Sequence, residues 1–148
     1  MAFTEHLYLS APYDTPEQQA VIERLKNLLE EYAFQVFCPQ SLFLDAPTDP
    51  EALAALEKER LDAVNHTKLM LTVFHGNRVH PSVAHEIELA CSRYIKVLGL
   101  NCPENLNPEG NPASDYTGKL CTKVIDVPED DEVLLDPLLS QINMYYGA

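Results

Sequence analysis

Apolar and polar positions along this chain repeat with two periods in turn. Leu7-Tyr8-Leu9 is a short apolar run closed by Ser10-Ala11-Pro12-Tyr13-Asp14, which reads as a buried strand stopping at a loop. Thr15-Pro16-Glu17-Gln18 then supplies a capping box with proline at the first helical position, and Val21, Ile22, Leu25, Leu28, Leu29 and Tyr32 follow at helical spacing. A helix must follow. Phe34 to Phe37 reads as a second strand, and residues 40–49, with Phe43, Leu44 and Pro47, as a loop long enough to cover a pocket. Asp49-Pro50 opens another helix that turns Leu53, Leu56, Leu61 and Val64 roughly to one side.

Lys68 to Phe74 is apolar enough for a central strand of a parallel sheet, and His75-Gly76-Asn77-Arg78 turns the chain after it. In the next stretch Ser82 is a suitable N-cap for a helix whose inward face carries Val83, Ile87, Ala90 and Tyr94. Ile95 to Leu100 gives a fourth strand. Residues 101–118 have loop composition, Leu120 to Val127 reads as a fifth strand, and a last helical segment over 129–146 is expected to kink or restart at Asp136-Pro137. Its inward residues are Leu134, Leu135, Leu138, Leu139 and Ile142. No internal repeat is present.

Strand and helix alternate throughout, which predicts a single-domain, doubly wound α/β fold of flavodoxin or Rossmann type over residues 1–148. Its five-stranded parallel sheet should carry helices on both faces. In such sheets ligands bind beyond the carboxyl ends of the strands. That rule gathers Ser10 to Asp14, the loop from His75 to Ser82, and Glu86 around one crevice.

Composition narrows the occupant. The chain has 148 residues, 46% apolar and 22% charged, which suits one folded domain with a sizeable core. Ten Lys and Arg against 23 Asp and Glu give a net charge of −13, which repels a phosphate backbone or an anionic membrane. A small nucleoside or nucleotide remains admissible, because a helix N-terminus binds an anion against an unfavourable global field. No apolar run approaches the roughly 20 residues of a membrane span, and Met-Ala-Phe-Thr-Glu-His lacks a signal peptide's basic region. A cytoplasmic location is therefore expected. Cys38, Cys91, Cys102 and Cys121 form no Cys-x-x-Cys pair and read as free, mostly buried thiols.

Glu86 is the residue most suited to chemistry. It falls about one turn inside its helix, where the dipole favours a carboxylate, although acids there often serve only helix stability. A carboxylate facing a pocket suits substitution at a sugar C1′. It stabilises or captures the oxocarbenium-like centre formed as the bond to a base breaks. His75, His80 and His85 recur every five residues, but that spacing puts no pair on one helix face, so no metal and no cofactor is expected. Arg78 is a candidate for neutralising a substrate phosphate.

Residues 6–100 resemble the nucleoside 2-deoxyribosyltransferases and their relatives, the deoxynucleotide N-glycosidases. Leu7-Tyr8-Leu9-Ser10-Ala11-Pro12-Tyr13 is similar to that family's first strand and pocket loop, and Ser82-Val83-Ala84-His85-Glu86-Ile87-Glu88-Leu89-Ala90 to its nucleophile segment. The resemblance implies that Glu86 is the nucleophile and that Tyr13 and Asp14 contact base or sugar. It also implies that Ser10, Ala11, Pro12, Ser82 and His85 line the substrate, and that the protein is a homo-oligomer. Where the family carries an Asp six residues before the nucleophile this chain has His80, and a second family Asp falls near Thr67, with Asp62 about a turn too early. Three readings follow. In the first, Glu86 attacks while His80 or His85 assists proton transfer to the leaving base. The second is a TIR-like NAD-cleaving domain, and the third a catalytically degenerate nucleotide-binding module.

Overall fold

A computed structural model describes residues 5–42, 48–116 and 123–146. Five parallel strands, β1 (Glu5–Ser10), β2 (Phe34–Phe37), β3 (Leu69–His75), β5 (Lys96–Cys102) and β7 (Lys123–Asp126), lie in the order β2-β1-β3-β5-β7. The helices are α1 (Pro16–Glu30), the short α2 (Pro39–Leu42), α3 (Pro50–His66), α4 (Pro81–Ser92) and α5 (Asp131–Tyr146). This is the flavodoxin-like order, with the chain reversing its direction of growth between β1 and β3. The expected five-stranded parallel sheet is present. Two short strands, β4 (Arg78–Val79) and β6 (Asn111–Pro112), add an antiparallel ribbon to the end of β3.

Alternation along the strands divides the core in two. Leu7, Leu9, Leu69, Leu71 and Val73 face α1 and α5, where Ile22, Leu25, Leu29, Leu134, Leu138 and Ile142 are buried. Tyr8, Met70 and Phe74 face the other way, onto Val64 of α3 and onto Val83, Ile87 and Ala90 of α4. Each fully buried Leu or Ile contributes roughly 1.5–3 kcal/mol, so both faces hold strongly.

Helix starts follow the sequence closely. Thr15 caps α1 by accepting from the Gln18 N–H at 3.2 Å, while Gln18 Oε1 accepts from the Thr15 N–H at 3.1 Å. Asp49 caps α3 by accepting from the Ala52 N–H. The turn between His75 and Arg78 is a two-residue hairpin with φ of 59° at Gly76 and 60° at Asn77, the signs a type I′ turn needs. A Cβ on Gly76 would lie 2.7 Å from the Asn105 Cβ, so only glycine fits.

Other expectations are corrected. Tyr94 is 94% exposed, because the chain leaves α4 at Arg93 and Tyr94 takes a left-handed φ of 58° that turns it from the core. Along α3 only Val64 is buried, while Leu53 is exposed and Leu56 and Leu61 are half-buried. A cleft of about 400 Å³, lined by Tyr8, Phe37, Glu59 and Ala63 among others, opens between α3 and the sheet. Helix α5 runs through Pro137 without a restart. Val133, whose carbonyl loses its usual partner there, is exposed, so water can take its place. Cys38 is half-buried and Cys102 buried, but Cys91 is exposed; Cys121 lies outside the described residues. The pocket-covering loop expected over 40–49 begins instead as α2, and Phe43 and Leu44 lie outside the described residues. Among the described residues no helix is long and apolar enough to cross a membrane.

Candidate functional site

The type I′ turn and β4 bring the chain back to the carboxyl edge of the sheet, where α4 starts beside the end of β1. Pro81 takes the first helical position, and the N-cap is His80 rather than the expected Ser82. Proline explains the shift. It cannot extend a helix backwards, so the residue before it adopts extended geometry, here φ −65° and ψ 143°, and an imidazole nitrogen does the hydroxyl's work. Ser82 then sits at the second helical position. Glu86 falls a turn and a half in, beyond the first turn where the dipole acts most strongly.

Side chains replace the dipole as the source of positive potential. Glu86 is only 4% exposed. Its Oε2 accepts from the Tyr8 hydroxyl at 2.7 Å, and Arg60 Nη1 lies 3.3 Å from both carboxylate oxygens. Glu57 holds the other edge of the guanidinium, accepting from Nη2 at 2.8 Å and Nε at 3.2 Å. Burial, and next the negative charge of Glu86, push the Tyr8 phenol far above the ordinary tyrosine range, so it stays a donor. Burial opposes the Arg60 charge, but its bond to Glu57 and the charge of Glu86 outweigh that, and the guanidinium is raised overall. Above this group lies a cavity of about 290 Å³ lined by Pro39, Gln40, Glu57, Arg60, Ser82, His85 and Glu86. That is the lower end of the range typical of ligand pockets, roughly 300–1,000 Å³.

The loop after β1 closes one side. Gln40 accepts from the Ala11 N–H at 3.1 Å and donates to Ser10 Oγ at 3.1 Å, tying β1 to α2. Pro12 is buried, and Tyr13 is half-buried against the α1 side of the core. Asp14 is exposed and accepts from His80 Nε2 at 2.7 Å. Ser10, Ala11, Ser82, His85 and Glu86 thus gather at one edge, with His80 and Asp14 behind Ser82. Tyr13 turns toward the core instead.

Arg78 stands apart, donating to the Gly110 carbonyl at 3.1 Å beside a separate cleft. Thr67 lies at the amino end of β3, the far edge of the sheet from Glu86, with its hydroxyl on the Leu69 carbonyl at 2.6 Å. Asp62 lines the cleft under α3. Tyr146 packs on its own domain, donating to the His6 carbonyl at 2.6 Å and accepting from the Lys68 N–H at 3.0 Å. Among the described residues no group of three His, Cys, Asp or Glu side chains is placed to hold a metal.

Sequence reasoning missed Arg60, Glu57, Gln40 and the role of Tyr8. One signal was available for Arg60. It lies four residues before Val64, the inward position of α3, so it shares that buried face. Tyr8 was concealed inside an apolar run, where an aromatic residue reads as core.

No protein-family model matches the chain, and no curated protein matches it in sequence. Solved structures do match in fold. A 2-deoxyribosyltransferase from Bacillus psychrosaccharolyticus has a TM-score of 0.66 at 16% identity, over 88% of this chain and 90% of that one. A conserved protein from Enterococcus faecalis V583 gives 0.57 at 16% identity, over 94% and 99%. A signal receiver domain from Vibrio parahaemolyticus gives 0.53 at 10% identity, over 97% and 94%. At identities this low these matches show a shared flavodoxin-like fold alone.

Proposed function

We propose that this protein cleaves or exchanges the N-glycosidic bond of a small nucleoside or nucleotide, with Glu86 as the nucleophile. The observation that carries the reading is a buried carboxylate at the floor of a cavity beside the reversal point of the sheet, held by Tyr8 and Arg60. A 2-deoxyribosyltransferase of the same fold supports the choice of reaction.

In this reading the two donors fix the direction in which Glu86 presents its oxygens. One oxygen attacks C1′ as the bond to the base breaks, and the carboxylate's charge stabilises the oxocarbenium-like centre. His85 lines the cavity one residue before Glu86 and is placed to give the departing base a proton. His80 does not line the cavity and acts through Ser82. The strongly acidic surface favours one small substrate in the pocket over a polynucleotide.

The test is base release from a panel of nucleosides, deoxynucleosides, their 5′-monophosphates and NAD, by the wild type and by Glu86→Ala, with and without a free acceptor base. Release or exchange that disappears in the variant is expected. Silence across the panel, with thermal stabilisation by one ligand, would replace the reading with a nucleotide-binding module. The ion pair that already occupies both Glu86 oxygens is the feature favouring that second reading.

A further inference from the structure

Three groups run in a line from the cavity to solvent. Ser82 Oγ faces the same cavity as Glu86, one helical turn away, and lies 2.9 Å from His80 Nδ1; His80 Nε2 lies 2.7 Å from Asp14 Oδ2. Exposure rises along the line, from half-buried Ser82 to 21% for the His80 side chain and 66% for that of Asp14. The Ser82 backbone N–H also points at Nδ1, at 3.1 Å, and a backbone N–H only donates. Nδ1 is therefore the acceptor, the ring proton sits on Nε2 and is donated to Asp14, and the Ser82 hydroxyl donates inward. Ser82 lines the cavity, and its hydroxyl oxygen keeps acceptor capacity for further donors. Gln40 Nε2, 3.5 Å from Ser82 Oγ, steadies it.

We propose that Asp14, His80 and Ser82 form a proton relay that activates water at the cavity, so that the sugar on Glu86 is released by hydrolysis. The proposal rests on Glu86 as nucleophile and names the acceptor. In the first half-reaction a Glu86 oxygen bonds to C1′, the C1′–N bond breaks, and its electron pair leaves with the base, which takes up a proton. In the second, the water oxygen bonds to C1′ and the pair of the C1′–O bond returns to the Glu86 carboxylate. The proton lost by water passes to Ser82 Oγ as the Ser82 proton passes to His80 Nδ1. Asp14 faces the resulting imidazolium and opens to solvent, where the proton leaves. The sum is substrate plus water giving free sugar plus free base.

Ser82 touches the reacting water and is a catalytic residue in this scheme; His80 and Asp14 position and drain it. The experiment compares Ser82→Ala and His80→Asn with the wild type, on whichever panel substrate releases base fastest. His80→Asn keeps an acceptor for the Ser82 N–H, so the start of α4 is retained while the proton acceptor is lost. Both variants should release about one equivalent of base per enzyme and then slow, on the order of 10²-fold below the wild type. Intact-protein mass should rise by one sugar, and free acceptor base should restore turnover by exchange. Equal slowing of the first turnover and the steady state, or no slowing, would overturn the relay while leaving Glu86 in place. A wild type that releases no base, or a Glu86→Ala variant that still does, overturns the nucleophile and the relay together.

Discussion

Glu86 and His75 are both almost wholly buried ionisable residues near the carboxyl edge of the sheet, yet they are treated in opposite ways. Glu86, 4% exposed, has a hydroxyl and a guanidinium on its oxygens. His75, 1% exposed, has no hydrogen-bond partner for either ring nitrogen among the described residues. Strand alternation puts it on the face of Leu71 and Val73, where α1 and α5 supply apolar neighbours, while Glu86 belongs to the α3 and α4 face. Burial, and next the nearby charge of His80, lower the His75 imidazole to about 4. One face tolerates a titratable group by keeping it neutral; the other is built to hold a charge.

Removing the counter-charge should expose that contrast most strongly. Arg60→Met leaves the Glu86 carboxylate buried beside a single hydroxyl donor, and should cost about 3 kcal/mol in urea denaturation at pH 7. Adding Glu86→Gln should recover most of the loss. Full recovery would show that the charge itself is the cause, whereas a strictly additive pair would mean that Arg60 acts through packing.

The second effect belongs to His75. An unfolded histidine titrates near 6.5 and the folded one near 4, so the unfolded state binds the proton first as pH falls. Its stabilising contribution is complete above about 6.5 and is lost progressively as pH drops toward 4. Between pH 7 and pH 5 that loss is about 2 kcal/mol. His75→Leu should abolish this part of the acid sensitivity in thermal melts. An unchanged pH dependence would show that His75 has a partner that stabilises its charge.

Smaller again is the single hydrogen bond to Glu86. Tyr8→Phe keeps the ring against Phe37, 5.5 Å away between centroids, and should cost about 1.5 kcal/mol. Under the proposed reaction it should also lower kcat more than it changes KM, because the hydroxyl contacts the nucleophile and not the substrate. The reverse pattern would place the hydroxyl against the substrate.

The strand periods, the capping box at Thr15, the N-cap at Asp49 and the glycine of the hairpin turn are local signals, set by residues within a few positions of one another. They determined the element order, and with the right-handed crossover rule they determined the fold and the edge of the sheet at which the candidate site is sought. Ser10, Ala11, Ser82, His85 and Glu86 were legible for that reason, since each lies where a strand ends or a helix begins.

Tertiary structure decided what those residues meet. The Tyr8 hydroxyl bonds a carboxylate 78 positions away, and Arg60 reaches Glu86 across 26, at separations where no period carries information. Proline at the head of α4 moved the cap from Ser82 to His80, and only the approach of Asp14 across 66 residues made that cap part of a line of hydrogen bonds. Side-chain orientation within a helix follows from spacing alone. The partner on the other side of a cavity depends on how separate helices dock onto the sheet, and that is fixed by packing of the whole core.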